Sequence, residues 1–278
     1  MAGTVIMVSM VSTANTAYTG SRLQKNRVSN RMGAFYMSIP KIIHYCWFGS
    51  KPLPENCRKL MESWRQYLPD YEIMLWNEAS FDITSSQYVR AAYSAGKYAF
   101  VSDYVRLWAL KQYGGIYFDT DMEVTRNFSH LLSGHSAVFG FESGVKVMTA
   151  FMAVQAGHPI ICEFLEYYSG TDFDVCNLQP NTVVLTEILQ RRGLKINNKM
   201  QTIDGSTVVY PLDYFQAYDF SKALLRVTEH THTIHRCFGS WCSPKERLVF
   251  SVKRALGNCL SEEGYSRLKR IKKKIMGE

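Results

Sequence analysis

Gly114-Gly115-Ile116-Tyr117-Phe118-Asp119-Thr120-Asp121 is the stretch on which the fold turns. The paired glycines stop a helical pattern, Ile116-Tyr117-Phe118 reads as a short buried strand, and two carboxylates follow where that strand leaves its sheet. A bend at that point lets both carboxylates converge. Converging carboxylates with no cysteine or histidine nearby suit a hard, oxygen-seeking cation such as Mg²⁺ or Mn²⁺, whose open positions a substrate's phosphates fill. A lone D-x-D also caps ordinary turns, so the pair gains meaning only from its surroundings.

Immediately upstream, Ala99–Tyr113 carries Phe100, Tyr104, Leu107, Trp108 and Lys111 at helical intervals. Ser102-Asp103-Tyr104-Val105-Arg106 lies in this segment and sets Asp103 and Arg106 on one helix face. As a surface ion pair this is worth little. As a site it offers a carboxylate for sugar or ribose hydroxyls beside a guanidinium for a phosphate or the sugar. Farther upstream, Ile42–Trp47 reads as a buried first strand, Pro54–Tyr67 as a helix with Cys57, Leu60, Met61 and Trp64 on one face, Tyr71–Trp76 as a second strand, and Ser85–Ala95 as a helix. Downstream the pattern weakens to strands at Ala137–Phe141 and Thr207–Tyr210 and helices at Pro159–Tyr168 and Thr182–Arg192. Strands alternating with helices predict an α/β sheet with mainly parallel strands and ligands at the strands' carboxyl ends.

The 278 residues carry a net charge of +8, with 46% hydrophobic and 20% charged residues, which excludes a disordered acidic tail or a fibrous repeat. The charge is uneven. Residues 1–38 carry +4, residues 243–278 carry +6, and the body between them is −2. A nearly neutral body is not the footprint of a nucleic-acid groove, and no nucleic-acid partner is expected. The first 38 residues, Arg-bearing, Ser-rich and acid-free, allow an organelle transit peptide, but read rather as a disordered leader or as sequence upstream of a true start at Met37. The last 36 or so interleave Leu268, Ile271 and Ile275 with lysines and arginines. They form either an amphipathic helix on an anionic membrane surface or a solvated charged helix. The seven cysteines show no C-x-x-C pair and read as free thiols of a reducing compartment. Zinc held by His230, His232 and His235 with Cys237 and Cys242 is a weaker alternative, because their spacing is poor for a structural site.

Several of these stretches together resemble the family 32 glycosyltransferases, which contain a D-x-D sugar-binding region and are distantly similar to the clostridial glucosylating toxins. The matching segments are Ile39–His44 with Trp47-Phe48-Gly49, Leu75-Trp76-Asn77, Ser102-Asp103-x-x-Arg106, Gly114–Asp121, and Ile234-His235 with Gly239-Ser240-Trp241. The resemblance implies a single catalytic domain over 39–242 with the type A glycosyltransferase fold, a Rossmann-like nucleotide-sugar-binding mixed sheet flanked by helices. It implies that Trp47 stacks on the nucleotide base, although an aromatic at a strand end is ordinarily core. Asp103 and Arg106 would contact the donor sugar and the ribose or phosphate, Asp119 would face the sugar and ribose, and Asp121 would ligate the metal directly. His235, Ser240 and Trp241 would supply further metal or diphosphate contacts. The family often carries Gly-Pro ahead of Leu-Thr in mid-chain; here the stretch is Gln179-Pro180-Asn181-Thr182-Val183-Val184-Leu185-Thr186, without the glycine.

The expected activity is therefore retaining, Mn²⁺- or Mg²⁺-dependent sugar transfer from a UDP- or GDP-sugar to a hydroxyl of a glycan or lipid-linked acceptor. Its expected setting is bacterial surface polysaccharide synthesis, in the cytoplasm or at the inner face of the plasma membrane. A metal-dependent nucleotidyltransferase or phosphohydrolase also uses paired aspartates but has no need of the Ser-Asp-x-x-Arg or Gly-Ser-Trp elements. A non-enzymatic basic membrane-binding module predicts charge spread over the body.

Overall fold

A computed structural model describes residues 38–142, 146–174, 178–219 and 224–238. The expected leader and basic tail, and Ser240 and Trp241, lie outside the described residues. The first half runs β1 (Ile42–Cys46), α1 (Glu55–Tyr67), β2 (Glu72–Trp76), α2 (Gln87–Ser94), α3 (Tyr98–Tyr113), β3 (Gly115–Phe118), β4 (Met122–Val124) and the single turn α4 (Ser129–Leu132). The second runs β5 (Ala137–Glu142), β6 (Lys146–Val147), β7 (Phe151–Val154), α5 (Pro159–Ser169), α6 (Asn181–Arg191), β8 (Gln201–Ile203), β9 (Thr207–Tyr210), α7 (Leu212–Phe215), β10 (Tyr218–Asp219), β11 (Leu224–Leu225) and β12 (Thr233–His235). No helix among the described residues is long and apolar enough to cross a membrane.

The main sheet has the order β2-β1-β3-β7-β5-β9-β8, with β6 pairing to β5. It is mixed, not mainly parallel. β1 pairs in parallel with β2 and β3, and β5 with β9, but β7 runs antiparallel between β3 and β5. The reason is that Phe151-Met152-Ala153-Val154, a short apolar run with no helix before it, returns directly from the β5–β6 hairpin, and no crossover helix exists to make it parallel.

Side chains alternate across this sheet with a period of two. Ile116 and Phe118 of β3, Val138 of β5 and Val208 of β9 join the core that also holds Met61 and Trp64 from α1, Phe128 just before α4, and Phe215 from α7. Tyr117, Phe139, Met152 and Val209 face the opposite core, built with Val105, Leu110, Phe164 and Leu185 from α3, α5 and α6. Helices thus cover both faces, which is the α/β architecture the sequence predicts.

The glycine pair at the α3–β3 junction is sterically required. Gly114 has φ +64°, and a Cβ there would lie 2.5 Å from the Ala156 amide nitrogen. Gly115 has φ +96°, and its Cβ would lie 2.6 Å from the Ile42 carbonyl oxygen. Only glycine lets the chain leave α3 and enter the sheet against β1. His44 secures the same junction: fully buried in β1, it donates from Nε2 to the Gly114 carbonyl at 2.8 Å and accepts the Trp76 indole N–H at Nδ1, 3.2 Å away.

Candidate active site

The carboxyl ends of β1, β3 and β5 and the amino end of β7 share one rim, and the acidic residues gather there. Asp119 follows Tyr117 by two residues, so it keeps to the α3 side of the sheet. The Tyr117 hydroxyl donates to Asp119 Oδ1 at 2.9 Å. Across from it, Arg106 Nη2 lies 2.9 Å from Asp103 Oδ1 and 3.3 Å from Asp119 Oδ1. Its Nη1 donates to the Thr149 carbonyl at 3.0 Å, its Nε donates to the Ser102 carbonyl at 3.2 Å, and its guanidinium carbon sits 4.5 Å from the Tyr117 ring centre. Asp103 and Arg106 are thus not a surface pair: Arg106 is only 5% exposed, and one guanidinium serves two carboxylates. All three nitrogens are engaged within the protein, so Arg106 acts by holding Asp103 and Asp119.

Burial pushes the Asp103 carboxyl up to about 6, against the pull of Arg106, while the charge of Asp119 pushes the same way as burial. Asn181, the first residue of α6, donates to Asp103 Oδ1 at 2.7 Å. Asn181 belongs to the mid-chain stretch that lacks the family's glycine, and its role was not evident from the sequence. What seats it is Thr186, whose hydroxyl accepts the Val147 amide at 2.9 Å and donates to the Thr182 carbonyl at 2.5 Å. The Leu-Thr of that stretch therefore pins α6 to β6.

The chain bends after Asp119 as the paired carboxylates require. The Met122 amide donates to the Asp119 carbonyl at 3.0 Å, closing a turn over Asp119–Met122. That turn carries Asp121 toward β12, which pairs antiparallel with β4 and sets His235 opposite Met122. His235 Nε2 lies 3.1 Å from Asp121 Oδ1, and the Phe238 amide donates to Asp121 Oδ2 at 2.8 Å. Burial raises the Asp121 carboxyl, but the His235 charge and these donors outweigh it, so its pKa falls below the ordinary carboxylate value. Burial likewise opposes the charge on His235, yet Cys237 and Asp121 hold its pKa well above the usual histidine value.

Asp119, Asp121 and His235 each offer one ligand atom, and these atoms all lie within 4.8 Å of one another. No other His, Cys, Asp or Glu group among the described residues is arranged to hold an ion, so His230 and His232 form no zinc site with His235. The donor set fits a divalent cation: two carboxylates suit Mg²⁺ or Mn²⁺, and the imidazole adds a nitrogen ligand. Trp47 continues from β1 at the same rim, half-buried, with its amide donating to the Trp76 carbonyl at 3.0 Å and its indole N–H to the Lys51 carbonyl at 2.7 Å. Glu142, which ends β5, was not anticipated. Burial raises its carboxyl, and the groups that act on it are His235, Lys146 and Asp119. A carboxylate at a strand's carboxyl end beside a D-x-D was the available signal.

Residues 54–138 match the family described as the glycosyltransferase sugar-binding region containing a DXD motif. This segment resembles a DXD-type sugar-binding region. It takes in Asp103, Arg106, Asp119 and Asp121 and leaves Trp47 and His235 outside. The chain is 32% identical over 130 residues to inositol phosphoceramide mannosyltransferase 3 of Schizosaccharomyces pombe, covering 45% of this chain and 36% of that one. It is 29% identical over 126 residues to an uncharacterised protein of Arabidopsis thaliana, covering 43% of this chain and 19% of that one. The chain thus spans about a third and a fifth of the lengths of these relatives. Solved structures similar to it include the PaToxG glycosyltransferase (TM-score 0.45, 23% identity, 55% of this chain and 69% of that one). Another is a glycosyltransferase involved in glycosylation of the major capsid of PBCV-1 (TM-score 0.43, 14% identity, 77% of this chain and 100% of that one).

Proposed function

We propose that this chain is a divalent-metal-dependent, retaining glycosyltransferase of the type A fold that moves a sugar from a UDP- or GDP-sugar to a hydroxyl of a glycan or lipid-linked acceptor. The observation that carries the proposal is the gathering of Asp119, Asp121 and His235 at the strand ends, two of them within the DXD-type region. Bound there, Mn²⁺ or Mg²⁺ supplies Lewis-acid neutralisation of the leaving diphosphate. The chain's own residues do the rest. Trp47 presents an indole face to the nucleobase. Asp103 and Asp119, held by Arg106, Tyr117 and Asn181, accept hydroxyls of the ribose and sugar and place negative charge where oxocarbenium character develops. Retention of the donor's configuration is an expectation from the resemblance at Ser102–Arg106 and Gly114–Asp121. The mannosyltransferase relative favours mannose first among sugars to test and a lipid among acceptors. A place beside the membrane draws its support from the basic residues 243–278, and a cytoplasmic setting in bacterial surface polysaccharide synthesis from the family resemblance and the seven cysteines without a C-x-x-C pair.

The test is a panel of UDP- and GDP-sugars with Mn²⁺, Mg²⁺ or chelator, scored for nucleoside diphosphate release and for thermal stabilisation. One donor should be turned over only with metal, and Asp121→Ala should abolish that turnover. Wild-type rates in Asp121→Ala, or neither turnover nor stabilisation with any donor, would overturn the proposal.

A further inference from the structure

Trp47 heads a five-residue loop that its own side chain closes, the indole N–H donating to the Lys51 carbonyl at 2.7 Å. Its backbone is tied to β2, where the Trp76 carbonyl accepts the Trp47 amide at 3.0 Å. The middle of the loop is tied as well. Glu78 Oε1 accepts the Gly49 amide at 2.7 Å and the Tyr93 hydroxyl at 2.9 Å. β1 and β2 run parallel with Cys46 opposite Trp76, and the bonds from Trp47 to Trp76 and from Gly49 to Glu78 keep the two-residue step of such a ladder. The ladder thus runs one rung past the strand ends, with a carboxylate in place of a carbonyl. The β2 backbone does not supply that rung, because it turns away: Asn77 Oδ1 accepts the Ala79 amide at 2.9 Å, and the Asn77 carbonyl accepts the Phe81 amide at 2.9 Å. Gly49 fits this place by shape. Its φ is +91°, and a Cβ there would lie 2.5 Å from the Tyr98 ring, which itself sits 5.3 Å from the Tyr93 ring, centre to centre. Burial pushes the Glu78 carboxyl up, but the Gly49 amide and the Tyr93 hydroxyl outweigh it and hold it below the ordinary carboxylate value. The rung is therefore a charge-assisted bond at neutral pH. It orders a loop whose Ser50, Lys51 and Pro52 are exposed and gain little from packing.

We propose that Glu78 is a positioning residue for nucleobase binding: by bonding Gly49 it holds the Trp47–Lys51 loop in one conformation, so that the Trp47 indole is set at the rim before a nucleotide arrives. A loop ordered beforehand does not have to be ordered by the ligand, and binding is tighter by that entropy. The inference rests on the reading of Trp47 as the surface that takes the base.

The variants are Glu78→Ala, which removes the acceptor, and Glu78→Gln, whose amide oxygen can still accept both bonds. Calorimetry in the presence of Mn²⁺ gives their affinity for UDP and GDP, and steady-state assays give kcat and KM for the nucleotide sugar that the wild type turns over. Glu78→Ala should bind the nucleoside diphosphate about fivefold more weakly and raise KM by the same factor with kcat unchanged, as for loss of one hydrogen bond that serves binding alone. Glu78→Gln should lie closer to wild type. Trp47→Ala supplies the decisive comparison. If Glu78 acts through the indole, adding Glu78→Ala to Trp47→Ala should weaken binding no further. Wild-type affinity in Glu78→Ala, or full additivity in the double variant, would overturn the proposal while glycosyl transfer stands. Undiminished nucleotide affinity in Trp47→Ala would overturn it together with the base-stacking role of Trp47. A wild type that binds neither UDP nor GDP with metal would overturn the glycosyl-transfer reading as well.

Discussion

Replacing His44 with glutamine should remove an acid-sensitive part of the protein's stability. Both ring nitrogens are committed in the folded state, Nε2 as donor to Gly114 and Nδ1 as acceptor from Trp76, which fixes the neutral tautomer. Burial therefore dominates and lowers the pKa to about 4, although the Gly114 carbonyl pulls the other way. In the unfolded chain the ring titrates near 6.5. The unfolded state thus takes up a proton first, so the stabilisation is complete above pH 6.5 and is lost as pH falls toward 4. The full difference of about 2.5 pH units corresponds to about 3.4 kcal/mol, of which about 2 kcal/mol is lost by pH 5. For a domain of this size that is about 4 to 8 °C in melting temperature. The assay is urea unfolding followed by tryptophan fluorescence at pH 7.5 and pH 5 for wild type and His44→Gln. The substitution lowers stability at both pH values, so the quantity compared is the loss between them. The variant should lose about 2 kcal/mol less than wild type on acidification. An equal loss in both proteins would refute the assignment of a neutral, doubly bonded imidazole at this position.

Two further outcomes are expected. With its carboxyl raised to about 6, Asp103 should impose an acid limb on kcat/KM for the donor: the rate falls below about pH 6 as the carboxylate takes up a proton. A pH profile from 5 to 8 checks this, and Asp103→Asn should show low activity without that limb. Thr186→Val should strand the buried Val147 amide and destabilise the protein by about 1–3 kcal/mol, whereas Thr186→Ser keeps both bonds and should melt within a degree or two of wild type.

Much of the fold was legible where one residue type is required by one cause. The glycine pair marks the α3–β3 junction because no side chain fits against Ala156 and Ile42, and the i, i+3 spacing of Asp103 and Arg106 is realised as an ion pair because α3 is regular through both. Long amphipathic segments such as α1 were read within a residue or two because Cys57, Met61 and Trp64 must share a face. The antiparallel insertion of β7 was not legible. Its four residues are all apolar, and an apolar run buried on both faces carries no period that reveals direction. The ribbon of β4 and β12, three residues each, was also beyond sequence reading, since its pairing joins segments about 110 residues apart. Asn181 and Glu142 were missed for a related reason. Each is an ordinary polar residue locally, and each acquires a role only when α6 or β5 ends at the rim.

The charge balance of that rim gives the physical reason to expect a cation there. Asp103, Asp119 and Asp121 gather with Glu142 nearby, and against them stand Arg106 and His235. Arg106 directs Nε and Nη1 to backbone carbonyls and Nη2 to two carboxylates, so its charge is already spent on holding the acids together. His235 is turned to Asp121. A diphosphate drawing near this cluster brings more negative charge to a surface where Arg106 and His235 are already engaged and Lys146 acts on Glu142, and in a partly buried site water screens such repulsion weakly. The −2 body of the chain offers no compensating positive field, because the basic residues concentrate in 1–38 and 243–278. Like charges of this density become compatible when a divalent ion lies between them, and Asp119, Asp121 and His235 are the groups placed to hold one. The same arithmetic applies to an inert acidic cluster only until a nucleotide is added. Without a divalent ion an acid-rich rim should repel UDP and GDP, and with one it should bind them.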